Sequence, residues 1–90
     1  MSNELKGFMA KSLSGHDKGT IYFIIEDDEK YLYLADGRLK KKDKPKKKKR
    51  KHVQIIKNEN SLLYRKIQDN QSISDDEIKY EIKQLTSKRN

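Results

Sequence analysis

There is no cysteine in this chain, so neither a disulfide nor a thiolate metal site can brace it. Apolar residues are scarce. They make up 32% of the 90 residues, enough for one small domain with a core that stabilises it only marginally. No apolar run approaches the roughly 20 residues that cross a bilayer. MSNELKG at the start lacks the apolar stretch of a secretory signal. A cytoplasmic protein is expected. His16 and His52 are the only histidines. A zinc site takes about three or four ligands, so no metal is expected, and no other cofactor. No nucleophile stands with a base and an orienting partner, and no glycine-rich phosphate loop runs into a helix. The expectation is a protein that is not an enzyme, with no small-molecule substrate and no membrane partner.

What the chain has is positive charge, concentrated in one place. The formal net charge is +8. Residues 38–51 carry eleven Lys or Arg and one Asp, a local charge of +10, while residues 1–37 sum to −3 and residues 52–90 to about +1. A polyanion partner should therefore be met at that segment. Its cations repel one another strongly unless an anion neutralises them. Lys far outnumbers Arg there, and Lys acts as a point charge where an Arg fork reads geometry. Contacts to backbone and shape are expected, not base reading.

The apolar pattern places the rest. Residues 7–13, GFMAKSL, suit a strand, and SGHDKG at 14–19 reads as a turn. TIYFIIEDD at 20–28 is strongly β-prone. Ile21, Phe23 and Ile25 project to one side, Tyr22 and Ile24 to the other, as in a small closed barrel. Asp27-Asp28-Glu29 reads as a hairpin tip without a basic partner. KYLYLA at 30–35 gives a third strand, with Tyr31 and Tyr33 opposing Leu32 and Leu34. Asp36-Gly37 favours a tight hairpin turn, so Arg38-Leu39-Lys40 is expected to begin a fourth strand. Lys42–Arg50 then reads as a mobile loop with ordered ends, and HVQIIK at 52–57 as a further strand. NSLLYRKIQDN at 60–70 spaces Leu63 and Ile67 four apart, a short helix ending at Asn70. Ser74 and Glu77 have capping-box spacing, and Ile73 and Ile78 that of a hydrophobic staple. Ile78, Ile82 and Leu85 form one stripe, which predicts a helix over 75–87. Tyr64 and Tyr80 are expected to pack the helices down.

The run Ala10-Lys11-Ser12, then Gly15-His16-Asp17-Lys18-Gly19-Thr20 and Ile21–Ile25, resembles a KOW motif: a strand, a glycine turn closing on Lys-Gly, and an apolar strand. Three later pieces follow in the same order. They are Ala35-Asp36-Gly37, the basic stretch through Pro45 into His52-Val53-Gln54-Ile55, and Ser74-Asp75-Asp76-Glu77-Ile78. Together, over about residues 5–87, they resemble small bacterial KOW-domain RNA-binding proteins related to a large-subunit ribosomal protein of archaea and eukaryotes. Tyr22 stands where elongation-type KOW motifs place a second glycine, which sets this chain apart from that branch. The resemblance implies a mostly β fold, an SH3-like barrel of four or five strands over 5–57, with the basic loop at 38–52. Two C-terminal helices over 58–90 extend the same domain. It implies RNA binding and association with ribosomes. The partner would be structured RNA, the large-subunit rRNA first, with ribosomal proteins as neighbours.

On this reading one RNA-facing surface is built from the turn and the basic segment. The turn supplies Gly15, His16, Lys18 and Gly19. The segment supplies Arg38, Lys40, Lys41, Lys42, Lys44, Lys46, Lys47, Lys48, Lys49, Arg50, Lys51 and His52. Tyr31 and Tyr33, if outward, border it and could stack on unpaired bases. Pro45–Lys51 also resembles a nuclear-import signal, and a polybasic patch attracts anionic lipid, though no apolar anchor adjoins it. The competing class is an SH3-like protein-interaction module, or a transcription-associated adaptor with a polybasic loop.

Overall fold

The most β-prone run, TIYFII, becomes the centre of a sheet. In the computed structural model, which describes residues 4–87, it opens β2, Ile21–Asp28. β1 (Met9–Ser12) and β3 (Tyr31–Ala35) flank it, with β4 (Lys46–Lys49) outside β3 and β5 (Val53–Ile56) outside β1. All four pairings are antiparallel, in the order β4-β3-β2-β1-β5. Two helices follow, α1 (Leu62–Gln68) and α2 (Asp75–Ser87). The expected mostly β fold with C-terminal helices is what forms. The edge strands β4 and β5 are joined only by a 3-10 turn, Arg50–His52. The sheet must therefore curl until its edges approach, yet among the described residues no ladder joins them and the sheet stays open there.

Strand alternation sorts the apolar side chains into two clusters. Phe8, Ala10, Tyr22, Ile24, Leu32, Leu34 and Val53 fill the hollow of the curled sheet. Met9, Ile21, Phe23 and Ala35 lie on the other face, where Leu63 and Ile67 of α1 and Ile78 of α2 cover them. The stripe Ile78–Ile82–Leu85 packs as its spacing predicts, with Ile78 fully buried. Ser61 caps α1 by accepting the Tyr64 N–H. Asn70 at φ 60° ends it, with Gln71 N–H donating back to Lys66 O. The capping box of α2 closes both ways: Ser74 N–H donates to Glu77 Oε1 at 2.9 Å and Glu77 N–H to Ser74 Oγ at 3.1 Å. Glu77 also takes the Lys66 ammonium at 2.5 Å. That hydrogen bond first, and the Ser74 N–H second, hold its carboxyl below the usual range.

Four local expectations are corrected. Arg38–Lys40 is not a strand. Asp36 Oδ1 accepts the N–H groups of both Arg38 and Lys40, and Asp36 and Gly37 N–H donate to Lys40 O, so the chain closes on itself. Gly37 takes φ +78° against the start of α2, where a Cβ would run into the Asp75 carbonyl. Next, Lys42–Arg50 is not a mobile loop. Lys46–Lys49 pairs along β3, from Leu34↔Lys46 to Tyr31↔Lys49, and Asp75 Oδ1 holds the Lys42 N–H at 2.7 Å. Third, the expected hairpin forms, but its tip is Glu29 and Lys30 and not the whole acidic trio. Asp27 and Asp28 belong to β2, and the chain reverses at Glu29, φ 50°. A bulge sets which side these residues face: Ile24 faces Leu34 but Glu26 faces Tyr33, so Ile25 is the extra residue and the alternation inverts beyond it. Asp27 thus points to the Leu32 side, 2% exposed. Finally, Tyr80 is 62% exposed and packs nothing down, whereas Tyr64 stacks on Phe8 at 5.1 Å between centroids. The expected helical extension reached residue 90; its residues 88–90 lie outside those described.

Candidate nucleic-acid interface

The turn between β1 and β2 is drawn tight by backbone bonds: Gly19 N–H to Ser12 O, Thr20 N–H to Asp17 O and Lys18 N–H to Gly15 O. Gly15 and Gly19 both take positive φ, at 86° and 93°. This geometry turns Asp17 inward. Its carboxylate accepts from Ser12 Oγ at 2.8 Å, Tyr22 OH at 2.7 Å, Lys46 Nζ at 2.7 Å and Lys48 Nζ at 3.2 Å. Burial works against the charged form. The hydrogen bonds from Lys46, Tyr22, Ser12 and Lys48 outweigh it and hold the carboxyl well below the ordinary carboxylate range. Burial, and then the Asp17 anion, push the Tyr22 phenol above its ordinary range.

The same alternation divides the lysines of β4. Lys46 and Lys48 face the Leu32–Leu34 side and reach Asp17 with their ammonium groups. The Lys48 side chain is only 11% exposed. Lys47 and Lys49 project outward beside Tyr31 and Tyr33, with Lys47 Nζ 4.3 Å from the centre of the Tyr31 ring. Arg50 turns back inward. Its guanidinium meets Asp27 Oδ2 at 3.2 Å and Glu29 O at 3.0 Å, and its N–H donates to Lys30 O. His52 Nδ1 lies 3.1 Å from Ser14 Oγ, and its carbonyl accepts the Leu13 N–H.

The turn and the basic segment therefore come together, joined by Lys48 Nζ to Ser14 O at 3.0 Å and by the Ser14–His52 contact. Gly15, His16, Lys18 and Gly19 are exposed on one side of this seam. Lys47, Lys49 and Lys51 are exposed on the strand and the 3-10 turn that follows. Arg38, Lys40, Lys41 and Lys44 are exposed on the loop before β4. Among the described residues none of these cations has a carboxylate partner, while Lys42 stands at 4.0 Å from Asp43. Lys46, Lys48 and Arg50 are instead committed to internal pairs. Tyr31 and Tyr33 are half-buried on the outward face, and Tyr33 OH reaches Asp28 at 3.5 Å.

Two contributions escaped the sequence reading. A groove of about 720 Å³ joins Gly19, Thr20 and Arg38 to Lys79 and Lys83 of α2. The i, i+4 spacing of those two lysines was a visible signal, masked by the helix's balanced net charge. Lys30 is the other, brought beside Lys49 and Lys51 by the β3–β4 register. Among the described residues, no group of three or more His, Asp or Glu is placed to hold a metal ion. No described helix is long and apolar enough to cross a membrane. No protein-family model matches the chain, and no curated protein matches it.

Proposed function

We propose that this chain is an RNA-binding, ribosome-associated protein of the KOW kind. It docks structured RNA, the large-subunit rRNA first, by backbone and shape contacts and without a chemical step. The observation that carries the reading is the sorting of cations. Lys46, Lys48 and Arg50 pair with Asp17 and Asp27, whereas the exposed cations of residues 38–51 have no carboxylate partner among the described residues, Lys42 beside Asp43 being set apart. Side chains at i and i+2 of a strand leave the backbone about 7 Å apart on one face, so Lys47 and Lys49 form a short row of cations. Phosphate oxygens accept from Lys without reading sequence. The SH3-like barrel belongs to the same proposal. Its support is the strand order, the 3-10 turn between the edge strands and the apolar cluster inside the curl.

Sedimentation of cell extract through gradients at low and high salt tests this. Migration with a large-subunit fraction, released by salt or nuclease, is expected. A second reading, the protein-interaction module, has one observation in its favour: Leu39 is 88% exposed at the start of the basic segment. An adaptor of that kind would ride elsewhere in the gradient and ignore nuclease.

A further inference from the structure

The outward face of β3 and β4 ends in a cleft of about 430 Å³ lined by Lys30, Tyr31, Lys49, Arg50 and Lys51. Its walls are fixed. The register sets Tyr31 opposite Lys49. Arg50 N–H donates to Lys30 O at 2.9 Å, and its guanidinium is pinned to Asp27, so the β2–β3 turn and the 3-10 turn are clamped together. Lys30, Lys49 and Lys51 are exposed and have no carboxylate partner among the described residues. Lys47 lies near the Tyr31 ring but does not line the cleft, so its ammonium does not fill the space.

A cleft lined by one tyrosine and three lysines matches a ligand that is flat at one end and anionic at the other. The volume is that of a pocket for one small organic group, not of a groove for a duplex. A base inside an A-form helix has both faces covered; a bulge, loop or end presents one free. We propose that this cleft takes a single unpaired nucleotide of the bound RNA, its base stacked on Tyr31 and its phosphate held by Lys30, Lys49 and Lys51. This rests on the RNA-binding reading above and adds what kind of RNA is preferred: a duplex interrupted by an extruded base. Stacking tolerates any base, because each has a π-face. The preference is therefore for structure and not for sequence.

The test uses the full chain with two RNA hairpins that share the same loop and ends, one with an uninterrupted stem (the uniform hairpin) and one carrying a single bulged 2-aminopurine in the stem, and 2-aminopurine nucleoside monophosphate as a third probe. The bulged hairpin is expected to bind about tenfold more tightly than the uniform one, with its fluorescence changed on binding. Tyr31→Phe keeps both effects. Tyr31→Leu loses the preference and the fluorescence change while still binding the uniform hairpin. Equal affinity for the two hairpins with no fluorescence change overturns the cleft and leaves RNA binding standing. The free nucleotide saturating as tightly as the bulged hairpin overturns it in favour of a mononucleotide ligand. No binding of either hairpin removes the RNA-binding reading itself, and the cleft with it.

Discussion

Lys47 and Lys48 are adjacent in sequence and opposite in surroundings. Lys48 is buried to its ammonium group and bonded to Asp17 and Ser14 O, whereas Lys47 stands in solvent over Tyr31. Alanine should separate them. Lys48→Ala is expected to lower unfolding free energy by about 1–3 kcal/mol, through lost packing and weakened Asp17 pairing. Lys47→Ala should change it by about 0.5 kcal/mol or less, the scale of an exposed cation–π contact. Urea unfolding of both variants checks this. Asp17 offers a second test. Its carboxyl is depressed below the ordinary value of 3.8, so the stability it confers is full above that pH and drains away as pH falls towards the folded value. Asp17→Asn should cost about 2–3 kcal/mol at neutral pH, under the full penalty for a broken buried pair because Lys46 still reaches water. The variant's stability should then depend less on pH below 4 than the wild type's, as urea midpoints measured down to acid pH would reveal. None of this division was legible beforehand. Four identical lysines in a row carry no alternation, so nothing distinguishes the inward pair from the outward pair until β3 fixes the register.

Among the elements, those specified locally were the most readable. The span of α2 followed from the capping box at Ser74–Glu77 and the Ile78–Ile82–Leu85 stripe, signals contained within one helix. β2 and β3 followed from their β-branched and aromatic content. β4 did not, because lysine is a poor strand former. It is a strand through partners distant in sequence, β3 on one side and Asp17 beneath. The bulge at Ile25 was equally hidden, and it is what takes Asp27 from an expected solvent tip to a buried anchor for Arg50. The Asp36-Gly37 pair misled for a related reason: its glycine answers to α2 and not to a hairpin. Gly37→Ala tests that contact. A Cβ against the Asp75 carbonyl, added to the strain of positive φ, should cost at least about 2 kcal/mol and loosen α2. Thermal unfolding together with hydrogen exchange along 75–87 would register both effects.

Over the whole molecule, the division of labour is between anions and cations of one chain. Asp17 and Asp27 neutralise the lysines and arginine that turn inward, and in doing so they hold an edge strand whose outward lysines have no carboxylate partner among the described residues. The concentration of Lys and Arg in that segment was visible in the sequence, and its use against a polyanion is the proposal. Its rigid core, its contact with the 14–19 turn and the contribution of Lys30, Lys79 and Lys83 depend on how the sheet curls and the helix docks. The most direct test is RNA affinity measured over a range of salt for the wild type and for Lys47→Ser/Lys49→Ser/Lys51→Ser, which spares the Asp17 pairs. Weaker binding, a log–log salt slope reduced by about 2–3 and an unfolding midpoint close to wild type are expected. An unchanged slope and affinity, in a variant that folds normally, would contradict RNA docking at these lysines.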